Sequence, residues 1–408
     1  MKLSELSGKR VLLVGYGLEG KATEAYLRHY FPSMTIGVAD QSQGADYLEK
    51  QNEYDLVIKS PGVPKKLMTI PYTSATNIFF ANTKGVTVGV TGSKGKSTTS
   101  SLIASILKRA GTRVHLVGNI GNPMLSALLT EKGSDEYYVC ELSSYQLEDI
   151  EYSPHVSVFI NFFPEHMDYH GIVENYWNSK ARIIKFSLPS DYFVYNNAYK
   201  QLVDLASSTK AKAIPFVENL PFDEASIHLL GNHNKDNVRA AVTVGNILGI
   251  NVQKMEEAVR AFQPLSHRLE PIGTYKGIQF YDDAISTTPQ STVCAIEALK
   301  PIGTIFLGGK DRGYDFTPLI EALAQYKIPN IVLFPDSGTK IKERLSKSDI
   351  QANIHETRDM EEAVVWAFKN TNAGTVCLLS TASPSYSLWK NFEEKGDLFQ
   401  KFVKKYGT

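Results

Sequence analysis

Short apolar runs alternate with amphipathic stretches along nearly the whole chain. In the first stretch, residues 10–14, 34–39 and 55–59 are apolar runs of strand length, and residues 20–30 carry helical spacing. The last of these strands closes on Ser60-Pro61-Gly62, and the pattern runs out near residue 85. The rhythm resumes with strands over 86–90, 113–117, 137–144 and 156–162, and helices over 97–110, 237–248 and 252–262. The stretch QPLSHRLEP at 263–271 breaks the pattern. Beyond it, strands over 303–309, 330–334 and 375–380 alternate with helices over 319–326, 340–345, 360–369 and 391–405. Strand and helix in turn predict α/β architecture, with parallel sheets covered on both faces. The two breaks divide the 408 residues into three expected domains, 1–85, 86–264 and 265–408.

Composition changes this picture little. The chain is 43% hydrophobic and 21% charged, with 43 basic and 43 acidic residues. A zero net charge gives no support for nucleic-acid or polybasic membrane binding. No apolar run reaches the roughly 18 residues needed to span a bilayer. MKLSELSGKR lacks a signal peptide's apolar core, so a cytoplasmic location is expected. Cys140, Cys294 and Cys377 are far apart and form no CxxC pair, as expected of reduced thiols rather than a disulfide or zinc site.

Two glycine-rich turns carry the candidate chemistry. VLLVGYGLEGK places Gly15, Gly17 and Gly20 as GxGxxG directly after a strand, with Tyr16 and Leu18 between them. Asp40 ends the next strand, and Gln41 follows it. Glycines there let the backbone approach a pyrophosphate at a helix N-terminus. This fits an NAD-dependent oxidoreductase, a turn without ligand, or a holder of another diphosphate such as a UDP-sugar. The second turn is VTGSKGKST, where Gly92, Ser93, Lys94 and Gly95 lead into Lys96, Ser97 and Thr98. It is shorter than a strict Walker A loop, since Val90 stands where that motif has glycine. Backbone N–H groups there wrap phosphates, Lys96 reaches the terminal ones and Ser97 can ligate Mg²⁺. Glu141, ending the run YYVCE, is placed for the metal's carboxylate, although helix capping is an alternative use. An ATP machine beside a diphosphate holder suits an enzyme that phosphorylates a nucleotide conjugate.

Carrying both turns, the chain resembles the Mur ligases, the ATP-dependent amide-bond formers of peptidoglycan precursor synthesis, over essentially its whole length. The motifs are VTGSKGKST, GNIG, ELSSYQLE, NFFPEHMDYH, YWNSKARII, GNHNKDN, SHRLE, DDAISTTP and LGGKDRGYDF, in that order. The GxGxxG turn and SPG point to the D-glutamate-adding branch. The resemblance implies a Rossmann-like amino-terminal domain, a P-loop ATPase-like central domain and a Rossmann-like carboxy-terminal domain. It implies ATP, two Mg²⁺ ions, UDP-N-acetylmuramoyl-L-alanine and D-glutamate as ligands, acting on a monomer.

In such a ligase the substrate carboxylate takes the γ-phosphate of ATP, and the amine then attacks the acyl phosphate. Both steps gather anions, so cations and alignment must carry catalysis. The resemblance makes Lys96, Lys180, His166 and Arg268 catalytic. It gives the metals Ser97, Glu141, His166 and Lys180, the lysine acting as a carbamate. That requires a lysine which is neutral part of the time, through burial or nearby positive charge. Without the resemblance, His166 reads as a core histidine and Lys180 as a solvated helix residue. Asn237, Arg268 and Asp283 join the phosphate loop around ATP, with His267 a weaker candidate. Gly15 to Gly20, Asp40, Gln41, Gly62 and Asn119 hold the UDP substrate. Thr287, Arg312, Ser385 and the backbone near Phe392 take the amino acid. Ile285 stands where many relatives have the lysine of DSKAT, Arg312 falls on their carboxylate-binding lysine with Lys310 as rival, and STASPSYS differs from their SPACAS. The rival readings are an NAD-dependent oxidoreductase, a ligase adding a different amino acid, a folate-type polyglutamate ligase, and a non-catalytic partner of a glutaminase.

Overall fold

The computed structural model describes residues 1–224, 227 and 229–408, and for Asp168 the backbone alone. Its strands form three sheets in two compact units. The first unit comprises Met1–Ile227 and Lys235–Phe262, the second His228–Asn234 and Gln263–Thr408.

The first sheet contains β1 (Val11–Val14), β2 (Ile36–Ala39), β3 (Leu56–Lys59) and β4 (Tyr72–Ser74), in the parallel order β2-β1-β3-β4. The second contains β5 (Val86–Thr91), β6 (Arg113–Gly118), β7 (Glu136–Glu141), β8 (Val156–Phe159), β9 (Tyr192–Tyr195) and β10 (Lys212–Pro215), all parallel, ordered β10-β9-β8-β5-β7-β6. Every residue of β1, β3 and β8 is buried, which is why β1 reads as a continuous apolar run, although β3 ends in the buried Lys59 and β8 contains the buried Ser157. One apolar cluster runs through both sheets' surroundings. In it Phe79 meets Tyr138 edge to face, with ring centroids 5.3 Å apart. A buried ion pair, Lys59 Nζ to Asp149 Oδ2 at 2.8 Å, also joins the two layers. Asn77 adds two hydrogen bonds beside it, Nδ2 to Asp149 O and Oδ1 from Glu151 N.

The second unit holds β11 (Glu270–Tyr275), β12 (Ile278–Asp282), β13 (Ile302–Gly308), β14 (Asn330–Phe334), β15 (Asn353–Glu356) and β16 (Val376–Leu379), ordered β11-β12-β16-β13-β14-β15. Only β11 and β12 pair antiparallel. They meet at Lys276-Gly277, both with positive φ (51° and 78°), as a tight two-residue hairpin requires. Side chains fix the helix starts: Thr288 caps Pro289–Leu299 with proline in the first turn, and Asn391 accepts from Glu394 N at the head of Phe392–Gly407.

The structure departs from the sequence reading at short pieces. β4, β9, β10 and β15 are only three or four residues long, and β10 and β15 are largely exposed edge strands with little apolar signal. The expected strand over 137–144 ends at Glu141, because Ser143 caps the short helix Ser144–Leu147. The break after residue 262 holds an antiparallel hairpin, not a loop alone.

Candidate active site

The amino-terminal cradle follows from three glycines with different duties. Gly15 has φ 86°, and a Cβ there would lie 2.8 Å from Ser60 Cβ, so the SPG turn packs directly on it. A Cβ on Gly20 would lie 2.4 Å from Gly15 O, which forces glycine where helix and turn touch. Gly17 and Gly62 border open space. Asp40 accepts from Tyr16 N at 2.8 Å and from Ser42, hydrogen bonds that hold its carboxyl down at about 2. It therefore braces the turn, and Gln41 lies exposed beside it.

A cleft of about 340 Å³ opens between the first and second sheets' loops. Leu18 and Glu19 from the helix Leu18–Tyr30, Pro61 and Gly62 from SPG, and Gly118, Asn119 and Gly121 line it with Ser143, Tyr145 and Gln146. The expected residues Leu18, Gly62 and Asn119 thus share one cleft. Asn119 also donates Nδ2 to Glu141 Oε1 at 2.9 Å, linking this cleft to the phosphate loop's carboxylate.

The phosphate loop is held from outside itself. Asn161 accepts from Lys94 N and donates to Lys94 O, while Ser93 Oγ donates to Phe163 O at 2.7 Å and accepts from Phe163 N. The loop turns at Gly95 (φ 84°), where a Cβ would fall 2.4 Å from Asn237 Oδ1, and Asn237 also accepts from Thr99 Oγ1. Lys96 folds back on the loop, donating to Gly92 O and Ser93 O at 2.9 Å. Ser97 and Thr98 are buried in the first turn of the helix Lys96–Arg109. Such a loop is preorganised for anions, because its amides are fixed before a ligand arrives.

Around it stand the expected ionisable groups. Lys180, 1% exposed, donates to Gly92 O at 2.8 Å and lies 4.9 Å from the Tyr176 ring centroid. Burial, and then Lys96, hold its amine well below the usual lysine value. His166, with φ 56°, sits in a strained left-handed turn. Burial, against the pull of Glu165, brings His166 down to about 4, with Lys96, Lys94 and Lys180 adding to the effect. Its ring is therefore neutral at pH 7, with a lone pair to offer. Glu141 is buried, and its Oε2 has no hydrogen-bond partner. Lys180 feels the charge of Glu141 and acts in turn on His166, and an orphaned carboxylate oxygen and a neutral imidazole are donors that suit a divalent cation.

Sequence reasoning passed over Glu19, Tyr145, Asn161 and Glu165. Glu165 is buried 2.7 Å from Lys94 Nζ; burial would raise its carboxyl, but Lys94 and Lys96 hold it below its usual range. All but Glu19 stand inside the motifs quoted above, and Glu19 lies within GxGxxG itself.

The second unit places its residues around one loop system. Arg268 is half-buried and flanked by two left-handed non-glycine residues, His267 (φ 61°) and Leu269 (φ 46°). His267 Nδ1 pairs with Asp282 at 2.7 Å, its N–H donates to Glu270, and Gln400 donates to both carboxylates. Asp283 is buried, accepting from Leu269 N, Ser286 Oγ and Ser380 Oγ; burial raises it to about 6 despite them. It is a brace as placed, rather than an open ligand. Thr381 Oγ1 donates to Ser286 O next to Thr287, and Lys310 N donates to Pro384 O. Ser385 Oγ is buried without a partner, Arg312 and Lys310 are exposed, and Phe392 lies 6.0 Å from the His267 ring.

Known proteins match the chain in sequence and in fold. Residues 90–225 match the Mur ligase middle domain, and residues 267–382 the Mur ligase, glutamate ligase domain. The chain is 32% identical to the UDP-N-acetylmuramoylalanine--D-glutamate ligase of Exiguobacterium sibiricum, over 100% of this chain and 99% of that one. It is 33% identical to the UDP-N-acetylmuramoyl-L-alanine--L-glutamate ligase of Salinispora tropica, over 99% of each. Among solved structures, MurF ligase from Thermotoga maritima in complex with ADP aligns with a TM-score of 0.63 at 16% identity, over 99% of this chain and 98% of that one. UDP-N-acetylmuramate-alanine ligase MurC from the same organism gives 0.62 at 17%, over 98% and 99%.

Proposed function

Because the chain belongs to the Mur ligase family, we propose that it joins D-glutamate to UDP-N-acetylmuramoyl-L-alanine at the expense of ATP. The observation that carries this reading is the joining of two anion cradles in one unit through Asn119, which lines the cleft and holds Glu141. One cradle suits a spectator diphosphate, the other a reactive triphosphate. Residues 1–85 take the nucleotide-sugar, 86–264 take ATP and 265–408 take the amino acid.

In this reading Gly15–Gly20, Gly62 and Asn119 seat the diphosphate, with Asp40 bracing the turn. Backbone amides of Gly92–Thr98 and the ammonium of Lys96 hold the triphosphate. The substrate carboxylate attacks the γ-phosphorus, ADP leaves, and the acyl phosphate forms. The incoming amine then attacks the acyl carbon, and phosphate departs. Ser97, Glu141, His166 and Lys180 would hold Mg²⁺, which supplies charge neutralisation between the oxygens. The orphaned Glu141 oxygen and neutral His166 suit that role. A buried lysine with a depressed value is also the form that carbon dioxide carbamylates, which would turn Lys180 into an oxygen donor. Arg268 offsets phosphate charge, and Thr287, Arg312, Ser385 and the Phe392 backbone receive the amino acid's carboxylates. The protein acts as a monomer in the cytoplasm, where its nucleotide substrates are.

The relative named for L-glutamate keeps a second reading in view, the L-enantiomer as acceptor. The test offers purified protein ATP, Mg²⁺ and UDP-N-acetylmuramoyl-L-alanine with D-glutamate, L-glutamate or other amino acids. D-Glutamate should give ADP, phosphate and an amide product in equal amounts. Turnover with L-glutamate alone reverses the stereochemical assignment, and nucleotide-sugar-independent phosphate release ends the ligase reading.

A further inference from the structure

Glu19 is an acidic side chain set in the first turn of the helix whose N-terminus faces the proposed diphosphate. It lines the same cleft as Gly62 and Asn119, and its Oε1 is buried with no hydrogen-bond partner. Two anions sharing one cleft repel more strongly than in open water, since protein walls lower the dielectric between them. Either the nucleotide-sugar is refused or the carboxyl gives up its charge. The surroundings favour the second outcome. Burial raises Glu19 to about 7, and Lys59 lowers it only in part. Lys59 is itself committed, 2.8 Å from Asp149 and donating to Val63 O.

Resting on the substrate reading above, we propose that Glu19 enters the complex protonated and donates its O–H to an oxygen of the nucleotide-sugar's diphosphate. It thereby positions that substrate and makes its capture fall as pH rises. A neutral carboxyl offers the diphosphate an O–H donor, where the ionised form only accepts. As pH passes the carboxyl's own value, binding must take up a proton. The limiting slope is tenfold weaker binding per pH unit. The other charged groups facing this corner are Lys59 on β3, Asp149 paired to it, and Lys65 with Glu148 at 3.5 Å. Tyr145 lies across the cleft, in ring contact with His166 and His170. Asp40, held at about 2, and His166, at about 4, do not change charge above pH 6.

The experiment measures the Kd of UDP-N-acetylmuramoyl-L-alanine by calorimetry from pH 6 to 8.5, without ATP and with chelator, for wild type and Glu19→Gln. The diphosphate diester does not titrate in this range. Wild-type affinity should fall ~10-fold or more between the ends of the range. Glu19→Gln, which keeps a donor and has no charge, should stay flat within about threefold and bind more tightly than wild type at pH 8.5. Equal thermal melts show that the variant is folded. A flat wild-type profile, or the same slope in both proteins, overturns the inference alone. So does Mg²⁺ restoring tight binding at pH 8.5 to wild type only, which makes Glu19 a cation ligand. If neither protein binds the nucleotide-sugar at any pH, the substrate reading fails and takes this inference with it.

Discussion

At the scale of single residues, Lys180 shows how burial converts a common side chain into a chemical one. Its amine is pinned to Gly92 O inside the phosphate-loop layer, so ionisation there is costly. Arginine keeps its charge at every accessible pH and has no amine that carbon dioxide can modify. Lys180→Arg is therefore expected to lower the melting temperature and cut turnover at least ~10²-fold. Lys180→Met should remain folded, at a cost of about 1 kcal/mol for the unpaired carbonyl, and be as inactive. Activity in Lys180→Met near wild type would remove the lysine from the site. His267 makes a different kind of claim, about pH. The hydrogen bond it donates to Asp282 raises it above the ordinary histidine value, while burial opposes, and Glu270 and Asp397 add to the rise. A raised folded value means that its stabilisation is complete below pH ~6.5 and is lost as pH climbs through the folded value. Melting curves of wild type and His267→Gln should differ by about 1–2 kcal/mol at pH 6 and converge toward pH 9.

At the scale of elements, the turn before each helix decides what the helix can bind. Gly95 occupies a left-handed conformation against Asn237. Gly95→Ala should cost about 1–2 kcal/mol from backbone strain alone and push Asn237 aside. The expected readout is a raised KM for ATP with a smaller change in kcat. An unchanged KM would show that the loop geometry is not limiting. These turns were legible in the sequence because glycine spacing is a backbone requirement written directly in residue types. The buried strand β1 was legible for a related reason, as two covered faces favour an unbroken apolar run, and β5 and β8 were legible from their recurring valines. β10 and β15 were not, because an exposed edge strand needs hydrogen bonds rather than apolar residues. Nor were Asn161 and Glu165, whose work lies in contacts with a loop some seventy residues away. Asp283 was legible as important but not in its role. Its three hydrogen bonds come from residues that only the folded chain gathers.

At the scale of the molecule, the first unit binds its two sheets through an apolar cluster and one buried ion pair. Lys59→Met takes away the buried cation 2.8 Å from Asp149, leaving it the Tyr72 hydroxyl and Lys65 at 4.0 Å, and should cost about 3 kcal/mol. The double variant Lys59→Met/Asp149→Leu should recover much of that loss in denaturant unfolding. No recovery would mean that the pair does not act as a unit. The larger consequence is chemical. A ligase of this kind must pass one carboxylate oxygen of the nucleotide-sugar to phosphorus and never regain it. Labelling that carboxylate with oxygen-18 and collecting the inorganic phosphate released during turnover follows the atom itself. The account predicts one labelled oxygen in each phosphate formed, with the other retained in the new amide. Unlabelled phosphate accompanying amide formation would contradict it.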